Sequence, residues 1–178
     1  MLVARSRLAR DVEKHGLGRG GVAMVHCRMS ALGRVVGGAE TVVRALLDAL
    51  GPEGTIMAYT GWQGEPPDNL GDLDDETRRL YIEEHPAYDP RVALTRRDHG
   101  RVPAALRTCP GARHRGHPEA GEAAVGPLAE VLTAEHEVLG GASAASACCF
   151  VTAVAQVDHG EQKHDTDGGE LQRSCWSA

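Results

Sequence analysis

Aromatic side chains make up only 3% of this 178-residue chain, with a single phenylalanine, so its interior has to be built from valine, leucine and alanine. No run approaches about 18 consecutive apolar residues, and no membrane-spanning helix is expected. Basic charge is not in surplus: Lys and Arg total 19 against 25 Asp and Glu, a net charge of −6. That balance argues against nucleic acid as a partner, because phosphate binding needs a basic face. The five cysteines (Cys27, Cys109, Cys148, Cys149, Cys175) are odd in number and form no C-x-x-C pair. They read as free thiols of a reducing cytoplasm, not as a disulfide framework, and no metal site is expected. The opening "MLVARSRLARDVEKHG" threads arginines through its apolar positions, which argues against a secretory leader. An internal repeat is missing too, as are G-x-G-x-x-G and the P-loop pattern.

What is present alternates between strand and helix patterns. Ser6 to His15 spaces Leu8 and Val12 four apart and stops at Gly16, a helix. "GVAMVHC" (Gly21 to Cys27) is a short apolar run behind turn glycines, a buried strand. Ala39 to Leu50 places Val42, Val43, Leu46, Leu47 and Leu50 on one helical face, and Gly51-Pro52 ends it. "GTIMAYT" returns as a second strand. Gly61 to Asp89 is long, polar and proline-bearing, with one short helix expected over Asp75 to Glu84. "GRVPAALRT" predicts a helix, "EAAVG" a strand and "PLAEVLTAEH" a further helix. The alternation predicts an α/β fold with a largely parallel or mixed central sheet. One domain is expected over residues 1–157, with a last strand at Cys148 to Val157. Residues 158–178, which hold only Leu171 and Trp176 as large apolar side chains, are expected to form a disordered tail.

Two stretches carry chemistry. Between Glu65 and Glu84 stand eight acidic residues against Arg78 and Arg79, so this window matches the whole net charge of −6. It suits a small polycation, or is simply a solvated loop. The second stretch is "MVHCRMSALGRVVGG" (Met24 to Gly38), a strand end followed by polar residues and glycines. Ligands of open α/β sheets bind beyond the carboxyl ends of strands, and the amino end of the next helix favours phosphate. Arg28 offers a fork-shaped cation, Ser30 a hydroxyl, and Gly33, Gly37 and Gly38 allow close backbone approach. The residues alone leave open a plain turn with Arg28 on the surface.

The run "MVHCRMSALGRVVGGAETVVRALLDALGPEGTIMAYTGW" resembles the N-terminal signature of the aminoglycoside 3-N-acetyltransferase family. "HPAYDP" (His85 to Pro90), "GRVPAALRTCPGA" (Gly100 to Ala112), "HPEA" (His117 to Ala120) and "AVGPLAEVLTAEH" (Ala124 to His136) follow in the family's order. The resemblance covers roughly residues 5 to 137. It implies a three-layer α/β sandwich, incomplete at its C-terminal side, and acetyl transfer from acetyl-CoA to the 3-amino group of a 2-deoxystreptamine antibiotic. By the same resemblance, coenzyme A falls to His26, Arg28, Met29, Ser30, Ala31, Leu32 and Gly33, with Val35, Val36 and Gly37 flanking the pantetheine arm. Tyr59 and Trp62 are implied as sugar-packing rings. Glu65 and Asp89 are candidate carboxylates for ammonium groups, and His117 and Glu119 shape the pocket. Each has an ordinary alternative: a buried backbone-bonded His26, core or lid packing for the two rings, a turn-starting Asp89, and turn capping by His117 and Glu119. A non-catalytic coenzyme A-binding module remains the second reading of the whole chain.

Three departures from the family pattern stand out. The family's aspartate two residues after the tryptophan is Gly64 here, with Glu65 next, and the serine expected after "HPEA" is Gly121. Beyond His136 the family's S-P loop, V-L-L-L-G strand and L-H-x-A-E helix have no counterpart. The histidine of that helix is the implied base for the amine proton, so the catalytic residue is not identified. His159 and His164 match no family motif. The expectation is a C-terminally truncated or frame-shifted member.

Overall fold

The computed structural model describes residues 2–67 and 69–134 of the chain. The strand expected at 148–157, the tail at 158–178 and Cys148, Cys149 and Cys175 lie outside the described residues.

Strand β1 (Leu2–Val3) leads into helix α1 (Arg5–Lys14), which buries Leu8, Ala9 and Val12. Strand β2 (Val22–Met24) follows, then β3 (Arg34–Val35) and helix α2 (Gly38–Leu50). Helix α2 buries Val42, Val43, Ala45, Ala49 and Leu50, while Leu46 and Leu47 are only partly covered. Strand β4 (Thr55–Tyr59) comes next, and after a 3₁₀ turn at Leu70–Asp72, helix α3 spans Asp75–Glu84. Helix α4 (Arg101–Arg107), strands β5 (Arg113–Arg115) and β6 (Glu122–Val125), and helix α5 (Ala129–Leu132) complete the described part.

The main sheet runs β2-β4-β6-β5, and β1 pairs with β3 in a two-stranded parallel ribbon. Strands β2 and β4 are parallel, with Ala23 opposite Ile56, as a crossover through α2 requires. Strand β6 is antiparallel to both β4 and β5. The sheet is therefore mixed, not largely parallel. Only six residues join β5 to β6, too few for the crossover that a parallel pair needs. Sheet residues alternate between two faces. Ala23, Ile56, Ala58 and Ala123 join the cluster formed with α1, α2 and α4, and Met24, Met57 and Ala124 join Ala129 and Leu132 of α5.

Several elements differ from expectation. The Gly21 to Cys27 strand shrinks to β2. Val25 still donates to the Met57 carbonyl at 2.8 Å, and the chain then turns, with the Ala31 amide on the Arg28 carbonyl at 2.9 Å. Strands β1, β3 and β5 carry no sequence pattern of their own, being two or three residues long and fixed by their partners. The last described helix is a single turn, Ala129–Leu132.

Candidate active site

A cleft opens where β2 and β4, parallel neighbours, both end. Its volume is about 580 Å³. Val25, His26, Cys27, Arg28 and Met29, the residues that follow β2, form one wall. Asp98, His99, Gly100, Arg101 and Pro103, leading into α4, form the other, and Tyr59 closes the end of β4 between them. The location is the one expected for a parallel pair, whose strand-end loops diverge and leave a crevice.

Of the residues the sequence assigns to coenzyme A, His26, Arg28 and Met29 line this cleft. His26 is exposed, not a buried backbone-bonded histidine, and its ring lies 6.0 Å from that of Tyr59. Arg28 Nε donates to Ser30 Oγ at 3.1 Å, which places the cation and the hydroxyl together. Ala31 and Gly33 are exposed turn residues, and φ is positive at Gly33, Gly37 and Gly38 (77°, 81° and 63°). Leu32 is buried in the core and borders a separate void of about 50 Å³. Val35 pairs with Val3 in the two-stranded ribbon and packs on the core, and Val36 is exposed. Gly37 precedes the first turn of α2, which has no side-chain cap. Its backbone amides are open to an anion.

The antibiotic-side candidates are dispersed. Only Tyr59 lines the cleft. Burial, and then the nearby Glu122 carboxylate, push its phenol above the ordinary value. Trp62 packs edge-on against His85, with ring centres 5.3 Å apart, and at the same distance against Tyr88. Glu65 is bonded to Arg96, Nη1 to Oε2 2.7 Å. Asp89 accepts from Arg91 Nη2 at 2.7 Å and from the Arg91 amide at 2.9 Å. Those bonds from Arg91 hold the Asp89 carboxyl down at about 2. The Asp89 carbonyl also receives the Val92 and Ala93 amides, so this residue starts a turn. His117 Nδ1 accepts from the amides of Glu119 and Ala120 at 3.2 and 2.9 Å, a turn cap, and Glu119 is exposed.

Two departures from the family pattern fall at closely packed glycines. A Cβ at Gly64 would come within 2.8 Å of the Trp62 indole, so the ring would have to shift to admit a side chain. A Cβ at Gly121 would come within 2.8 Å of the His117 carbonyl and 2.9 Å of Thr60 Oγ1.

Asp98 and His99 are cleft residues that the sequence reading passed over. The signal available was "RRDHG" directly before the "RVPAALR" helix, two titratable groups at a helix entry. His99 Nδ1 is buried without a hydrogen-bond partner. A buried ring nitrogen left unpaired is costly, and its place in the cleft wall points to a ligand partner.

Residues 24–153 match the aminoglycoside 3-N-acetyltransferase family model. The chain belongs to the aminoglycoside 3-N-acetyltransferase family. Aminoglycoside N(3)-acetyltransferase VIII of Streptomyces fradiae is 49% identical over 134 residues, covering 75% of this chain and 47% of that protein. Acetyltransferase VII of Streptomyces paromomycinus is 47% identical over 134 residues, covering 75% of this chain and 46% of that one. Among solved structures, the AAC-IIIb binary complex with CoASH superposes with a TM-score of 0.65 at 37% identity, over 76% of this chain and 50% of that one. AAC-VIa bound to sisomicin gives 0.67 at 34% identity, over 77% and 51%. The chain spans about half the length of the relatives it matches. Among the described residues no helix is long and apolar enough to cross a membrane, and no group of three or more His, Cys, Asp and Glu is placed to hold a metal ion.

Proposed function

We propose that the chain acts in aminoglycoside 3-N-acetylation, holding acetyl-CoA against the 3-amino group of a 2-deoxystreptamine antibiotic in the cleft between β2 and α4. The observation that carries this reading is the cleft itself. It lies at the strand end that bears the family signature, with His26, Arg28 and Met29 on one wall and Tyr59 at its back. The cleft is large enough for part of an extended cofactor, and the paired Arg28 and Ser30 together with the uncapped start of α2 suit its phosphates. Acetyl-CoA supplies the activated acyl group. The protein's part is to hold the neutral amine near it and to receive the amine proton. The likeness to solved structures complexed with CoASH and with sisomicin supports both ligands.

The same reading extends to architecture. Helices on both faces of the β2-β4-β6-β5 sheet support a three-layer sandwich, one domain over residues 1–157. The free thiols of Cys27 and Cys109 support a cytoplasmic setting. No L-H-x-A-E pattern occurs among the 178 residues, and loss of a general base costs about 10² to 10⁴ in rate. Turnover by these residues alone is expected to fall short of a full-length relative by that order. Two measurements test the proposal. Isothermal titration with coenzyme A should show binding that Arg28→Ala with Ser30→Ala weakens. Mass spectrometry of kanamycin incubated with acetyl-CoA and the protein should show one added acetyl group, on the 3-amine. Coenzyme A binding unchanged in the double variant refutes the loop assignment, and the absence of any acetylated product favours the non-catalytic module.

A further inference from the structure

Both carboxylates that the sequence nominates for ammonium binding, Glu65 and Asp89, are engaged by arginines and stand outside the cleft lining. Among the described cleft-lining residues there is one carboxylate, Asp98. Arg96 grips it two-pronged, Nε to Oδ1 at 3.2 Å and Nη2 to Oδ2 at 2.8 Å. The third prong, Nη1, reaches back to Glu65 at 2.7 Å. Glu65 is the inner member, 12% exposed, and Asp98 the outer, 59% exposed. One guanidinium between two carboxylates leaves a single negative charge, and the exposed carboxylate is the one that faces the cleft. A carboxylate has about four lone-pair directions, and the Arg96 fork takes two, so Asp98 keeps acceptor capacity for a further donor. The backbone fixes Arg96 as well: its amide donates to the Thr60 carbonyl at 2.9 Å, which ties this segment to the end of β4.

We propose that Asp98, oriented by Arg96 and backed by Glu65, is the carboxylate that receives an alkylammonium group of the amine substrate in the cleft. The assignment rests on the functional reading above and adds to it a residue and a ligand chemistry. Arg28 and Arg101 also line the cleft, which leaves Asp98 as the group there that an ammonium can approach. The Arg96 hydrogen bonds also hold the Asp98 carboxyl below its ordinary value, which keeps it ionised. Arg96 is a positioning residue here, since its fork is spent on the two carboxylates.

The test is titration calorimetry on the purified 178-residue chain with kanamycin and, separately, with coenzyme A. Asp98→Asn removes the charge and keeps the shape. It should weaken kanamycin binding by roughly tenfold or more, the expectation for one charged hydrogen bond, with coenzyme A affinity unchanged. Glu65→Gln removes the same unit of charge from behind Arg96 and should change kanamycin affinity by less than about threefold, as suits a carboxylate that meets no ligand. Equal losses in the two variants would reduce the effect to net charge and overturn the assignment. So would kanamycin binding unaffected by Asp98→Asn. Should that variant melt early, Asp98→Ser takes its place, with the same expectations. A wild-type chain that binds neither ligand overturns the functional reading and this assignment together. One that binds coenzyme A and kanamycin normally in every variant overturns this assignment alone.

Discussion

Helices α2 and α3 are of similar length, thirteen and ten residues, yet α2 buries five side chains and α3 none. Helix α2 exists because its apolar face is wanted by the sheet and by α1 and α4. Helix α3 is held from within. Asp74 caps it, accepting from the Thr77 amide at 2.9 Å, and Asp75 and Glu76 complement the helix dipole in its first turn. Arg78 stitches the preceding turn to it by bonding the carbonyls of Leu70, Gly71 and Leu73. Tyr81 stacks on His85, which meets Trp62 edge-on, and these contacts connect the unit to the rest. One helix is a product of tertiary packing and the other of local chemistry, so they should fail differently.

The sharpest difference concerns deletions. Leu50 is fully buried at the end of α2, so Leu50→Ala should cost about 2–5 kcal/mol and lower the midpoint of the whole unfolding transition. Chemical denaturation followed by circular dichroism checks this, and a loss under 1 kcal/mol would mean that the α2 face is not the cornerstone of the core.

Acid comes next, and acts on the packed region. His114, facing Thr60 Oγ1 at 3.2 Å, is held down at about 4 by burial first and by Arg107 second, against an ordinary 6.5. The unfolded chain therefore takes up the proton first. Stability contributed by neutral His114 is complete above about 6.5 and is lost as the pH falls towards 4. The melting temperature of His114→Gln should fall less steeply than that of the wild type across this window. Parallel curves would remove His114 from the acid response.

Changes in α3 should be smaller and local. Asp74→Ala removes the cap at about 1 kcal/mol, visible as faster amide exchange over Asp75–Glu84 with the global midpoint little moved. A drop in the global midpoint as large as that of Leu50→Ala would erase the distinction between the two helices. Least of all should follow from Ile82→Ser. That side chain is 68% exposed, and its replacement should stay within about 0.5 kcal/mol.

Both helices were nonetheless legible in the sequence, through different signals. Helix α2 announced itself by the spacing of Val42, Val43, Leu46 and Leu50, while α3 was expected only as one short helix over Asp75 to Glu84 within a polar stretch. The family was legible as well, since the Met24 to Trp62 run is carried by residues whose order survives without coordinates. The site was legible on one side only. His26, Arg28 and Met29 follow a strand end, and the rule for parallel strands places them at a crevice. The partners of Glu65 and Asp89 were invisible, because a carboxylate looks available until the arginine that occupies it is seen.

By itself the sequence determined the strand-helix alternation, the family and the strand-end residues that line the cleft, because these depend on local periodicity and on motifs a few residues apart. Only the tertiary structure decided that β6 runs antiparallel to β4, that Gly121 packs against Thr60, and that Asp98 and Arg28 line one cleft. Each of these joins residues about sixty to seventy positions apart, where the outcome is set by packing across elements that no local pattern encodes.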